Sequence, residues 1–150
     1  MKKLMPQEKT ERNAMVYAVI DTNILVSSFI TKNANASTRR VVMSMFDGRI
    51  QPLYNDDILE EYSDVLHRPK FHLKEKDINI LLNFIKEYGI DSSYVPYDGE
   101  MYDEDDRVFY EVTLSKEDSF LVTGNLKHFP RTPKVVTAAQ MMEILDSNLY

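Results

Sequence analysis

The stretch YAVIDTNILV, residues 17 to 26, decides how the rest of the chain is read. In it Asp21 stands between Ala18, Val19 and Ile20 on one side and Ile24, Leu25 and Val26 on the other. An ionised carboxylate is costly to bury unless something pairs with it, so its place amid apolar residues needs a reason. The run VYAVI reads as a fully buried strand, which puts Asp21 at its end. In an open parallel sheet the functional crevice lies at the carboxyl ends of the strands, so a charge at that place has a use.

Outward from this run, short β-rich segments alternate with helical periodicity, the pattern of parallel strands joined by helices. STRRVVMSMFDG predicts a helix with Ser37 or Thr38 as N-cap and Gly48 as its stop, and IQPLYN a second strand. Ile58, Leu59, Tyr62, Val65 and Leu66 mark the clearest helix, for which Asp57 and Glu60 offer a capping box. Ile78, Leu81, Leu82, Ile85 and Tyr88 mark another, ended by Gly89, after which SSYVPY reads as strand or loop. DEDDRVFYEVTL follows as an acid-led helix, SFLVTG as a buried strand and KVVT as a short one, and Thr137 with Gln140 caps a terminal helix. Residues 1–14 are polar and aperiodic and read as a flexible N-terminal extension, leaving 15–150 as a single α/β domain.

The chain contains no cysteine, which excludes disulfides, thiolate metal sites and cysteine nucleophiles, so any metal must be held by oxygen or nitrogen. No apolar stretch approaches the roughly eighteen residues that span a bilayer, and the N-terminus lacks the apolar core of a secretion signal, so a cytoplasmic location is expected and no membrane. Eighteen Lys and Arg against 24 Asp and Glu leave a net charge of −6. That balance disfavours broad attraction to nucleic acid, which would need a local basic rim or bridging cations, and it suits a basic protein partner.

At about 100° per residue the apolar stripe of the Ile58 helix centres near Tyr62; Glu60 and Asp64 point away from it, and Glu61 flanks it. Asp106 and Glu111 flank the Val108, Phe109 and Val112 stripe in the same way, with Arg107 outward, whereas Asp103 or Asp105 suits the N-cap or first turn. Were Asp21, Glu61 and Asp106 to converge, their charges would repel and raise one another's pKa. A hard divalent cation relieves that repulsion, and oxygen-only ligands suit Mg²⁺ or Mn²⁺, which activate water towards a phosphodiester.

VIDTNILVSSF, ILEEYSDVLHRPKF, DEDDRVFYEV and FLVTGNLKHFP, in this order, resemble the PIN-domain family, in particular the PIN proteins that are toxin components of bacterial toxin–antitoxin pairs. The resemblance covers residues 16 to 146 or so and implies a three-layer α/β fold, with a central parallel sheet flanked by helices, acting as a metal-dependent ribonuclease. Carried over motif by motif, the family's acids fall on Asp21, on Glu61 and on Asp106, with Asp105 a close contender. The last falls on Asn125, where the family often has aspartate. Asparagine still offers a carbonyl oxygen but removes one negative charge, which favours one metal over two. The implied partners are an RNA substrate, a small antitoxin protein and, at family level, a second copy in a homodimer.

Thr22, Asn23 and Thr123 either hydrogen-bond the carboxylates and fix their rotamers or merely satisfy loop backbone. Arg68 and Lys70, or His67, Arg39 and Arg40, are candidates for RNA phosphates at the rim, as is His128, while the many Met and Tyr residues at helical spacing read as core and interface rather than base-stacking platforms. A haloacid-dehalogenase-type phosphatase needs a second aspartate where Asn23 stands, and a receiver domain needs paired acids at the first strand end. The serious alternative is a PIN-like domain with weak or no catalysis that binds RNA or protein, and Asn125 is its best support.

Overall fold

The computed structural model describes residues 15–147, so the expected extension, residues 1–14, lies outside the described residues. VYAVI forms strand β1 (Val16–Ile20), with parallel neighbours on both edges, β2 (Ile50–Tyr54) and β4 (Ser119–Val122). A strand paired on both edges and covered on both faces has no solvent side, which is why it reads as an unbroken apolar run. β3 (Ile90–Asp91) and β5 (Val135–Val136) complete a five-stranded, all-parallel sheet of order β3-β2-β1-β4-β5. With its flanking helices this is the three-layer α/β arrangement the resemblance implies.

The strand order positions the site. From β1 the chain steps outward through β2 to β3, then returns to the other side of β1 with β4. The switch of direction opens a crevice at the carboxyl ends of β1 and β4. Asp21 follows β1 there, and Thr123 to Asn125 follow β4.

Residues 22 to 30 correct the sequence reading, which assigned no element to them: they form helix α1 (Thr22–Ile30) directly after β1. Ile24, Leu25 and Val26 are all buried, so the helix lacks the contrast of faces by which an amphipathic helix is recognised. Helix α2 (Ser37–Phe46) packs on α1 and ends at Gly48, whose φ of +83° is a conformation that favours glycine. Its N-cap is Ala36, with no side-chain bond, so Ser37 and Thr38 lie inside the first turn rather than capping it.

Helix α3 (Asp56–Leu66) buries Ile58, Tyr62, Val65 and Leu66, as its spacing predicts. Its cap differs: the Asn55 Oδ1 accepts from the Ile58 amide at 2.9 Å, displacing the expected Asp57–Glu60 box. The Tyr62 hydroxyl donates to the Ile20 carbonyl at 2.5 Å, which fastens α3 to the last residue of β1. Helix α4 (Glu75–Tyr88) ends at Gly89 as read, and β3 comes before the SSYVPY segment, which is irregular. The DEDD run opens as a single 3-10 turn, Glu104–Asp106, before helix α5 (Arg107–Leu114). Helix α6 (Ala138–Ser147) carries the expected reciprocal cap, Gln140 amide to Thr137 Oγ1 at 3.1 Å and Thr137 amide to Gln140 Oε1 at 2.9 Å.

One lysine ties the start of β4. The Lys134 ammonium donates to the carbonyls of Lys116, Glu117 and Ser119 at 3.1, 2.8 and 2.9 Å, and burial holds its pKa below the usual lysine value. Lys134→Met keeps the apolar stem but removes a charged donor from three carbonyls, of which only that of Lys116 has a second side-chain donor, the Ser119 hydroxyl at 2.7 Å, so it should cost about 2 kcal/mol, since bonds to charged groups are the stronger ones. A thermal unfolding scan should show Tm falling by about 4–8 °C, and an unchanged Tm would mean the three bonds are solvent-replaceable.

Candidate active site

Asp21 is the N-cap residue of α1 by backbone geometry, but its carboxylate makes no capping bond. Its Oδ2 instead accepts from the Thr123 hydroxyl at 2.7 Å, across from β1 to β4. Only 6% of Asp21 is exposed. Burial pushes its pKa up to about 6; the charges of Asp106 and Glu61 add to the rise, and the Thr123 hydroxyl and Thr22 amide oppose it. This is an acid whose negative charge the protein leaves largely uncompensated.

Glu61 reaches the same cleft from α3, and the Thr22 hydroxyl donates to its Oε2 at 3.5 Å. Its pKa is raised by burial first, then by the Asp105 carboxylate, with Thr22 and Arg68 opposing. Asp106, at the end of the turn before α5, is raised chiefly by burial, and its bond to His128 is the main opposing effect. The Asp106 Oδ2 lies 3.1 Å from the His128 Nδ1. Asp103 caps the turn, its Oδ1 accepting from the Asp105 amide at 3.0 Å, which matches the expectation for one of the two flanking acids.

Asn125 lines the cleft from the β4 side, and its amide donates to Thr123 Oγ1 at 3.0 Å. Thr123 is therefore a relay: it accepts from the loop and donates to Asp21. Asn23 makes no side-chain hydrogen bond to a carboxylate among the described residues; its Oδ1 accepts from the Gly124 amide at 3.4 Å and so clips the loop after β4 to the start of α1. Asp21, Glu61, Asp105, Asp106 and Asn125 thus line one open cleft of about 390 Å³. A second cavity, of about 270 Å³ between α1, α2 and α4, is walled by Phe29, Val42, Met43, Phe46 and Leu81 and offers no comparable group of acids.

The basic candidates separate. Arg68 lines the cleft, whereas the Lys70 ammonium lies over the Phe71 ring at 5.2 Å. His67 is held by Glu75 at 2.7 Å, Arg39 donates to the carbonyls of Ser28 and Thr31, and Arg40 pairs with Asp146 at 3.5 Å. These three have structural partners away from the cleft. His128 is the residue that sequence reasoning undervalued, because its contact joins positions 106 and 128 through the tertiary fold and no spacing rule announces it.

Among the described residues no three Asp, Glu or His side chains stand together as a ready-made cation cage. The donor set nevertheless fits a hard divalent cation: carboxylates from the residue between β1 and α1, from α3 and from the turn before α5 share one cleft, and each has a raised pKa. Thr123, Thr22 and His128 hydrogen-bond the three acids, as the outer partners of metal-ligating carboxylates commonly do.

An acidic crevice at the switch point of a parallel sheet defines an α/β domain of the kind that performs chemistry on its carboxyl edge. Residues 17–127 match the family model described as PIN domain, and the chain belongs to that family. PIN domains are, as a family, metal-dependent nucleases, and the fold here is nuclease-like. No curated protein and no solved structure matches the chain. Among the described residues, no helix is long and apolar enough to cross a membrane.

Proposed function

We propose that the protein is a Mg²⁺- or Mn²⁺-dependent endoribonuclease of the cytoplasm, the toxin of a toxin–antitoxin pair restrained by a small partner protein. The observation that carries this reading is the group of three acids, from three separate elements, whose pKa values are all raised in one cleft. Asp21, Glu61 and Asp106 would hold the cation, with the Asn125 carbonyl assisting. When bound, the cation supplies Lewis-acid activation of water and of the phosphodiester.

The chain's own residues prepare that site. Thr123 holds the Asp21 carboxylate in one rotamer, Thr22 does so for Glu61, and His128 orients Asp106. Arg68, at the cleft wall, binds an incoming phosphate. The partner and the toxin role rest on the order of the four motifs, as does a homodimer.

Purified protein should cleave single-stranded RNA in Mn²⁺. Glu61→Gln and Asp106→Asn should each lower the rate by about 100-fold or more, since even the outer partners of metal ligands are worth about 10- to 100-fold. A second reading, a binding module with weak or no catalysis, draws support from Asn125 and from the absence of a preformed cage among the described residues. It takes precedence if the protein binds RNA, leaves it intact in Mn²⁺ and is unchanged by Asp106→Asn.

A further inference from the structure

Tyr62, at helical spacing, is 1% exposed and belongs to the core, whereas Tyr102, outside any helix, is 77% exposed. A lone exposed ring is ordinary on a protein surface; this one is held in a defined orientation. It stacks on the His128 imidazole, with ring centroids 4.3 Å apart and planes 23° from parallel. Stacking uses one face of Tyr102 and leaves the other in water. His128 in turn bonds Asp106, so the stacked pair is fastened to the rim of the acidic cleft.

The backbone around the ring is anchored from both sides. Asp103, the next residue, caps the turn that delivers Asp106, and upstream the Tyr97 amide donates to Glu111 Oε2 at 2.9 Å. Phe71 and Arg68 line the same cleft, which therefore has an aromatic ring and a cation besides its acids. A chain of net charge −6 draws little affinity from phosphates, and base stacking is an attraction that does not depend on net charge.

We propose that the outer face of Tyr102 is a base-stacking platform, on which an unpaired nucleobase rests beside the phosphodiester held in the cleft, with His128 as the layer beneath. The proposal rests on nucleic acid being the substrate of this site. It also specifies the form of that substrate: paired bases stack on one another and offer no free face, so the platform selects a single strand.

The test is binding of a fluorescein-labelled, unstructured RNA oligonucleotide to the full chain, read by anisotropy in EDTA so that cleavage does not intervene. Tyr102→Ala should weaken binding by about tenfold or more, the usual worth of one stacked base, and Tyr102→Trp should retain it. A strand with one abasic position, moved along its length, should lose the same factor at one place with the wild-type chain and nothing further with Tyr102→Ala. In Mn²⁺ the Tyr102→Ala loss should fall on KM rather than kcat. Equal affinity of wild type and Tyr102→Ala overturns the platform, as does equal affinity for single strand and duplex. Tyr102-dependent binding without cleavage in Mn²⁺ would leave the platform standing and remove the nuclease reading, whereas cleavage in Mn²⁺ without any RNA binding in EDTA removes the platform and leaves the nuclease reading standing.

Discussion

Asp21→Asn is expected to make the protein more stable at neutral pH while removing most of its response to divalent cations. Burial is the main reason the Asp21 pKa moves from 3.8 to about 6, and the charges of Asp106 and Glu61 add to it. The folded state therefore holds this proton more tightly than the unfolded chain does. Stability is unaffected by the group below about pH 4, falls as pH rises through the window from 3.8 to about 6, and stays reduced above it. A rise of about two units corresponds to about 3 kcal/mol at pH 7. Asparagine keeps a carbonyl oxygen for the Thr123 hydroxyl but carries no charge, so urea unfolding at pH 7 in EDTA should show a gain of about 2–3 kcal/mol that vanishes below pH 4. Saturating Mn²⁺ should raise the Tm of the wild type, because binding to the folded state stabilises it, and should raise that of Asp21→Asn much less. A variant less stable than wild type at pH 7 without metal would show that the carboxylate is compensated after all.

Phe109→Ala should cost about 3–5 kcal/mol, a large share of the 5–15 kcal/mol typical of a domain. Phe109 is 1% exposed, and its ring lies 6.1 Å from that of Tyr62, the residue whose hydroxyl holds the end of β1. The contact joins α5 to α3, and both helices deliver acids to the cleft: Glu61 from α3, and Asp106 one residue before α5 begins. Truncation leaves a cavity beneath both. The urea midpoint should fall accordingly, with Tm lower by roughly 6–20 °C, and Phe109→Leu should recover most of the loss. A cost under about 1 kcal/mol would mean the core closes over the gap.

The helices that the sequence reveals are those with contrasting faces. Tyr62 sits at the centre of an apolar stripe with Glu60 and Asp64 opposite, and the Thr137–Gln140 cap declares itself within four residues. α1 is invisible for the opposite reason, since an element buried on nearly all sides has no polar face to set its period. The cap of α3 went to Asn55 because several neighbouring polar residues could serve locally, and α2 starts at Ala36 with no side-chain bond, so packing rather than a local cap chose its start.

For the site, position in the chain and chemistry have different origins. That Asp21 ends a buried strand, that Glu61 borders its helix's apolar stripe and that no thiolate is available all follow from residue order, because burial and helical period act within a few residues. Tertiary structure decided what no local rule reaches. The order β3-β2-β1-β4-β5 sets the end of β1 beside the end of β4, which lets Thr123 bond Asp21 and His128 bond Asp106. Those bonds, and the raised pKa values they temper, arise between residues far apart in the chain, and only the packing of helices on the sheet brings such groups within hydrogen-bond reach.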